Sequence, residues 1–301
     1  MEVRNIGSRG LLFVFPNFQV FPQVSLTIQI YVIVGKKHIF ICDTGVRAKQ
    51  TKTIKQYLKD HDLDKKPIIV FNTHFHHDHT TGNKVFNNTQ IVSHILCREK
   101  MIQAFKAGNK EDENILEYKG PTLPSIVFQD RLIFYDDGVE FFYSPGHSED
   151  SASCYDQIDK TLLVGDNLVD SLPLLTWHRF DKYIKTLQNY CDIDSKTIIL
   201  GHNLILHDNS FIKETMAYIE QFRLSEVETS NFTPIHATWY RWSLILVGMS
   251  LKEVGKEEEA INYFERAKLA IQEPNLKPIN QKELREIEDI LSEVLIDDES
   301  K

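Results

Sequence analysis

Six consecutive residues, His74-Phe75-His76-His77-Asp78-His79, hold four side chains able to bind divalent metal in the pattern His-x-His-x-Asp-His. Imidazole nitrogen and carboxylate oxygen together suit zinc, with iron or manganese as alternatives in the same site. The preceding stretch, Pro67 to Asn72 (Pro-Ile-Ile-Val-Phe-Asn), is apolar and β-branched and reads as a buried strand that delivers the run at its C-terminal end. In extended backbone, side chains two apart face the same way, so His74 and His76 can meet one ion. Asp78 and His79 come after the strand end, where a turn or the first residues of a helix can swing them to a second ion. The competing explanation is a chance cluster of surface histidines. With 12 His in 301 residues, such a run arises by accident in on the order of one chain in a thousand. Its internal position behind a strand also argues against an affinity tag.

A dinuclear site needs about three protein ligands per ion, usually a bridging carboxylate, and one position left for water. Three more segments end an apolar strand with a suitable residue. Val139-Glu-Phe-Phe-Tyr-Ser-Pro-Gly leads to His147, Thr161-Leu-Leu-Val-Gly to Asp166, and Lys196-Thr-Ile-Ile-Leu-Gly to His202. In each, glycine directly precedes the candidate ligand and would permit a sharp turn. A further strand, His38-Ile-Phe-Ile-Cys, ends at Asp43, with Gly45 close behind.

This ordered set, from Asp43 through the His74–His79 run to His147, Asp166 and His202, resembles the metallo-β-lactamase superfamily over about residues 25 to 205. The resemblance implies an α+β fold, an αββα sandwich of two facing sheets with helices outside. It implies that His74, His76 and His147 bind one ion, that Asp78, His79 and His202 bind the other, and that Asp166 bridges them. Two Zn2+ ions are the implied cofactors. Asp43 would stand behind the ligands and fix the metal-binding loop by hydrogen bonds. Asp78 would also orient the nucleophile or relay its proton, so Asp78 and Asp166 are the candidate catalytic residues. His202 stands where some zinc β-lactamases carry cysteine, and His76 where flavodiiron proteins carry glutamate. The donor set therefore resembles the glyoxalase II, acyl-homoserine lactonase and phosphodiesterase branches. Val169 occupies the place of a tyrosine typical of the lactonases, and the cationic glutathione-binding set of glyoxalase II is not found.

The remaining imidazoles read first as surface or packing residues: His77, at a variable position of the run, and the single His94, His178 and His207. His178 and its neighbour Trp177 lie in Leu172–Arg179, shortly after Asp166, where the loop is expected near the mouth of the site. They are candidate substrate contacts.

The elements that must position these residues follow from periodicity. Residues 11–15, 25–34 and 37–42 read as strands, 48–60 as a helix, 93–107 as another, and 108–114 as a polar loop or the start of a cap. Strands are expected near 125–144 and 160–165, a helix over 180–190, and a strand before His202. The aromatic segment Phe13–Phe21 reads as core and hairpin packing in preference to a flap over substrate. Beyond about residue 208 only helices are expected. Asp208 or Asn209 can cap one running through Phe222, and Pro234 can open the next. Gly248, Ala260, Phe264 and Ala267 fall at the spacing of a tetratricopeptide-type hairpin, and Asn280 with Glu283 resembles a capping box. Leu244, Val247, Leu251, Ile261, Phe264 and Leu269 are spaced for burial. The expected division is a catalytic domain over 1–229 and a helical extension over 230–301 that packs on it or on a second subunit as a homodimer.

Composition fits an enzyme with one large core: 42% hydrophobic and 26% charged residues. A net charge of −9 and no lysine- or arginine-rich run argue against a nucleic-acid partner. The longest apolar runs fall short of the roughly 20 residues of a membrane span. Cys42, Cys97, Cys154 and Cys191 show no metal-type pairing, and with no signal sequence a cytoplasmic location is expected. The function expected is hydrolysis of a small carbonyl substrate, an ester, thioester, lactone or amide, by a metal-activated hydroxide. A phosphodiesterase using the same two ions and a non-haem iron redox enzyme are the alternatives.

Overall fold

The computed structural model describes residues 1–21, 24–86, 88–108, 120–170, 172–274, 276 and 281–296. The expected loop at 108–114 lies, after its first residue, outside this set, as does Asn280.

Seven strands form the first sheet in chain order: β1 Glu2–Ile6, β2 Gly10–Phe21, β3 Val24–Val34, β4 Ile39–Cys42, β5 Ile68–Asn72, β6 Gln90–His94 and β7 Ile126–Phe128. The pairs from β1 to β4 are antiparallel, and those from β4 to β7 parallel. The parallel pairs need crossovers, which α1 Ala48–Asp60, the short α2 His77–Thr80 and α3 Ile95–Gly108 supply. The second sheet has the order β13-β12-β11-β10-β9-β8, from β8 Arg131–Phe134, β9 Val139–Tyr143, β10 Ala152–Asp156, β11 Thr161–Gly165, β12 Thr197–Leu200 and β13 Ile205–Leu206.

Strand alternation builds the layers. On β4, Phe40 and Cys42 point between the sheets, where they meet Phe141, Cys154, Leu163 and Ile199 of the second sheet. Ile39 and Ile41 point the other way, onto Ile54 and Leu58 of α1. On β11 and β12, Leu163 and Ile199 face inward, while Leu162, Val164, Ile198 and Leu200 face the outer helices. The result is the αββα sandwich.

The outer layer over the second sheet begins with α4 Phe180–Asp192 and α5 Ser210–Leu224. It continues without a break into α6 Pro234–Glu253, α7 Glu257–Gln272 and α8 Gln281–Ile296, whose Leu244, Val247, Phe264 and Ile287 share one buried cluster with Tyr190 and Phe222. The extension thus packs on the second sheet's helices. Phe264 lies over Gly248, where a Cβ would stand 2.6 Å from its ring. Arg241 is buried and donates to Glu283 Oε1 at 2.6 Å and to the Leu276 carbonyl at 2.9 Å, tying α8 to α6.

Several expectations need correction. Residues 90–94 are strand β6, so the helix expected from 93 starts at Ile95. Strands β1 and β10 were not expected. β1 is a largely exposed edge, and the buried β10 reads Ala-Ser-Cys-Tyr-Asp, without an alternating apolar signal. Leu269 is 61% exposed and leaves the apolar stripe. Asn209 caps α5 by position without a side-chain bond, while the Asp208 carboxylate accepts from Ser210 N at 2.8 Å. Pro234 does open α6 in its first turn.

Candidate metal centre

All seven expected ligands gather at one edge of the sandwich, at strand ends or in the loops just after them. His74 follows β5, and Asp78 and His79 lie on α2. His147 follows β9, Asp166 follows β11, and His202 follows β12. They form two adjoining groups: His74, His76 and His147, and Asp78, His79, Asp166 and His202. In the first, His76 Nδ1 stands 3.0 Å from His74 Nε2 and 3.2 Å from His147 Nε2. In the second, Asp78 Oδ2 stands 3.4 Å from His79 Nε2 and 3.3 Å from His202 Nε2. Asp166 reaches both: its oxygens lie 3.3 Å from His79 Nε2, 3.4 Å from His202 Nε2 and 3.9 Å from His74 Nε2. A tetrahedral ion with bonds of about 2.0–2.1 Å spaces its ligand atoms about 3.3 Å apart.

The far nitrogens of four rings are anchored. His74 Nδ1 donates to Thr73 Oγ1 at 3.0 Å, since that hydroxyl already donates to Asp43. His79 Nδ1 donates to Asp43 Oδ2 at 2.8 Å, His147 Nδ1 to the Leu174 carbonyl at 3.0 Å, and His202 Nδ1 to the Thr27 carbonyl at 2.7 Å. Each bond sets the ring so that its Nε2 faces the cluster. Asp43 also accepts from Thr73 N at 2.8 Å and belongs to neither group. It sits at φ 66°, a left-handed position that aspartate tolerates.

Among the three glycines that precede ligands, Gly165 alone has the left-handed conformation expected of a sharp turn, at φ +55°. Gly201 is needed for another reason. A Cβ there would overlap the Asp166 carboxylate, so glycine is what lets β12 bring His202 beside it.

Charge follows from these positions. Burial first, then the neighbouring imidazoles, holds His74 well below its usual value. Burial likewise lowers His147, and His76 to about 3. The second group behaves oppositely. Burial alone would lower His79 and His202, but the carboxylates of Asp166 and Asp78 outweigh it, raising His79 well above its usual value and His202 to about 10. Burial alone would raise Asp78 and Asp166, but those imidazoles hold both carboxyls well below the usual range.

Trp177 and His178 make their contacts elsewhere. His178 Nδ1 bonds Ser250 Oγ of α6 at 2.9 Å, and Trp177 lies 5.7 Å from Lys182 Nζ. Thr176, one residue earlier, donates to the His147 carbonyl. His77 is exposed, His94 stacks on Tyr143 at 4.0 Å, and His207 is exposed. Phe18 was expected to be a packing residue. It does pack, against the cluster of Phe13 and Phe15 and against Leu26 and Trp239, and it also stacks on His202 at 6.1 Å. Sequence reading missed Thr73, Asn167, which accepts from His147 N at 2.8 Å, and Asp150, which accepts from Phe75 N at 2.8 Å. Adjacency to a ligand was the only signal for the first two.

The metallo-beta-lactamase superfamily model matches residues 26–202. The chain belongs to that superfamily. With the two His/Asp groups, membership makes it a metal-dependent hydrolase. Solved structures share its fold at low identity. The DIM-1 metallo-beta-lactamase exposed to ceftazidime is 19% identical, with a TM-score of 0.59, over 73% of this chain and 96% of its own. A metallo-beta-lactamase from Pontibacter korlensis is 19% identical, with a TM-score of 0.58, over 73% and 98%. One from Hirschia baltica is 19% identical, with a TM-score of 0.57, over 72% and 96%. No helix among the described residues is long and apolar enough to cross a membrane.

The groups fit the divalent metal that the superfamily uses. His79 Nε2 and Asp166 Oδ1 are buried without a hydrogen-bond partner among the described residues. They face each other at 3.3 Å as an ion pair, and an ion taking both lone pairs in place of the His79 proton would satisfy each atom. The donors are all nitrogen and oxygen, a set that suits Zn2+ and also iron or manganese.

Proposed function

We propose that the protein is a dinuclear hydrolase of a small carbonyl substrate, an ester, thioester, lactone or amide, with two Zn2+ as the resident ions. The observation that carries this reading is Asp166, a buried carboxylate within 3.3–3.9 Å of ring nitrogens from both groups. His74, His76 and His147 would hold one ion; Asp78, His79 and His202 would hold the other; Asp166 would join them. Bound ions of this kind lower the pKa of water to about 7 and stabilise an oxyanion developing on a carbonyl.

The chain's own residues supply the rest. Burial keeps the imidazoles of the first group unprotonated and their lone pairs available. Asp78 is ionised and so can accept a hydrogen bond from the attacking water and orient it. Phe18, stacked on His202, gives the second group an apolar wall. The same pair of groups also suits in-line displacement at phosphorus, so a phosphodiester is the second substrate class.

Elemental analysis of the protein at saturating zinc, followed by assay on a panel of esters, thioesters, lactones, amides including a β-lactam, and phosphodiesters, tests the reading. Two ions per chain and carbonyl hydrolysis that chelation abolishes and zinc restores are expected. One ion or none at saturation, or turnover of phosphodiesters alone, would overturn it.

A further inference from the structure

The run from Thr73 to His79 is held by two buried carboxylates, one from each sheet. Asp43, after β4, takes Thr73 N, Thr73 Oγ1 and His79 Nδ1. Asp150 comes from the turn between β9 and β10 and is fully buried. Its Oδ2 accepts Phe75 N at 2.8 Å, and its Oδ1 accepts Ser148 Oγ at 2.7 Å. Phe75 separates His74 from His76, and Ser148 follows His147. Asp150 therefore ties the Phe75 peptide to the Ser148 side chain, each next in sequence to members of the first group.

Within the dinuclear reading proposed above, we infer that Asp150 is a positioning residue for the ion of the first group, fixing the Phe75 peptide and the Ser148 turn in one arrangement.

His76 makes this tether matter. It faces its partners through Nδ1, whereas His74 and His147 use Nε2. Nδ1 lies close to the backbone, so a shift of the 75–76 peptide passes to the ligand atom with little side-chain freedom to absorb it. A charged acceptor on a peptide N–H also makes a shorter, stronger bond than a neutral one. The neighbouring bond from Ala152 N to the Thr73 carbonyl, 2.8 Å, ties the same two loops one step further along.

Zinc titrations of the metal-free wild-type protein and of Asp150→Ala, read by calorimetry and elemental analysis, test the inference alongside Asp43→Asn. Removing a group that supports a ligand typically costs about 10- to 100-fold in metal affinity. Asp150→Ala should lose that much for one ion and keep the other, while Asp150→Asn, which retains an acceptor for Phe75 N, should recover most of it. Asp43→Asn should weaken both ions, one through His79 and the other through Thr73 and His74. If Asp150→Ala does not fold, Asp150→Ser, too short to reach Phe75 N, replaces it with the same expected loss. In the wild-type protein the Phe75 amide should exchange hydrogen as slowly as the β5 amides. Unchanged affinity in Asp150→Ala, equal loss of both ions, an Asp150→Asn as weak as the alanine, or fast exchange at Phe75 would each overturn the inference. A wild-type protein binding fewer than two ions would overturn the dinuclear reading itself.

Discussion

The two ligand groups lie side by side at the same sheet edge, yet they rest on opposite electrostatics. The first consists of three imidazoles, and burial makes a charge on any of them costly. The second interleaves Asp78 and Asp166 with His79 and His202, so the ion-free cluster is a set of buried ion pairs. The first group is therefore open to a cation as it stands. The second must exchange protons for one. Adjacent sites on one scaffold can differ this much because two carboxylates at 3.3–3.4 Å outweigh the desolvation of His79 and of His202, whereas the single one 3.9 Å from His74 does not.

Asp166 is where the groups meet, and its removal should have the largest effect. Asp166→Ala takes a carboxylate from both, so affinity for both ions should fall and turnover should be lost. His77→Ala, a change at an exposed residue of the same run, should leave metal content near that of the wild type. Equal metal loss in the two variants, measured by elemental analysis, would break the assignment of ligands.

Protons give the next largest effect. With His202 near 10 and His79 raised, both rings carry a proton at neutral pH in the ion-free protein. Binding at the second group should release up to two protons, and its affinity should rise with pH by roughly tenfold per unit for each proton released. The first group, already neutral above about pH 7, should show almost no such slope. The sign for stability follows from the same shifts. A raised histidine stabilises the fold fully below its unfolded value, and this is lost as pH rises toward the folded value, about 10 for His202. The lowered histidines of the first group oppose folding as pH falls below their unfolded value. The ion-free protein should therefore be most stable near pH 6.5. Calorimetry in buffers of different protonation enthalpy counts the released protons; equal counts for the two ions would remove the contrast.

The second group's residues were as legible in the sequence as the first's, because both follow strands with strong apolar signals. Val-Glu-Phe-Phe-Tyr before His147 and Thr-Ile-Ile-Leu before His202 announce their strands. The supports were harder to see. Asp150 stands in a turn before Ala152-Ser-Cys, small buried residues without an alternating pattern, so neither the strand nor its neighbour signalled a contact with Phe75, 75 positions away. Thr27 reaches His202 across a separation of 175 residues, and only folding reveals it. Phe18 read as packing, which it is, but its second contact, with His202, was not legible: the register shifts in β2 between Phe15 and Phe18, which breaks simple alternation.

The helical extension also distinguishes the two groups. Ser243 Oγ of α6 accepts from Leu175 N at 3.0 Å, and the adjacent Leu174 carbonyl receives His147 Nδ1. α6 is thus one peptide away from a bond that orients a first-group ring, whereas toward the second group its Trp239 makes apolar contact with Leu26 and Phe18. Ser243→Ala leaves a buried peptide N–H without its acceptor, at about 1–3 kcal/mol. Most of that cost should appear as a lower melting temperature. A smaller part should appear at the metal centre, because the Leu174 carbonyl can shift once its neighbour is released. We expect a loss of a few-fold in affinity for one ion, well below the effect of Asp166→Ala, and none for the other. A drop confined to stability would mean that the extension only covers the second sheet; an equal drop for both ions would mean that it acts on the centre as a whole.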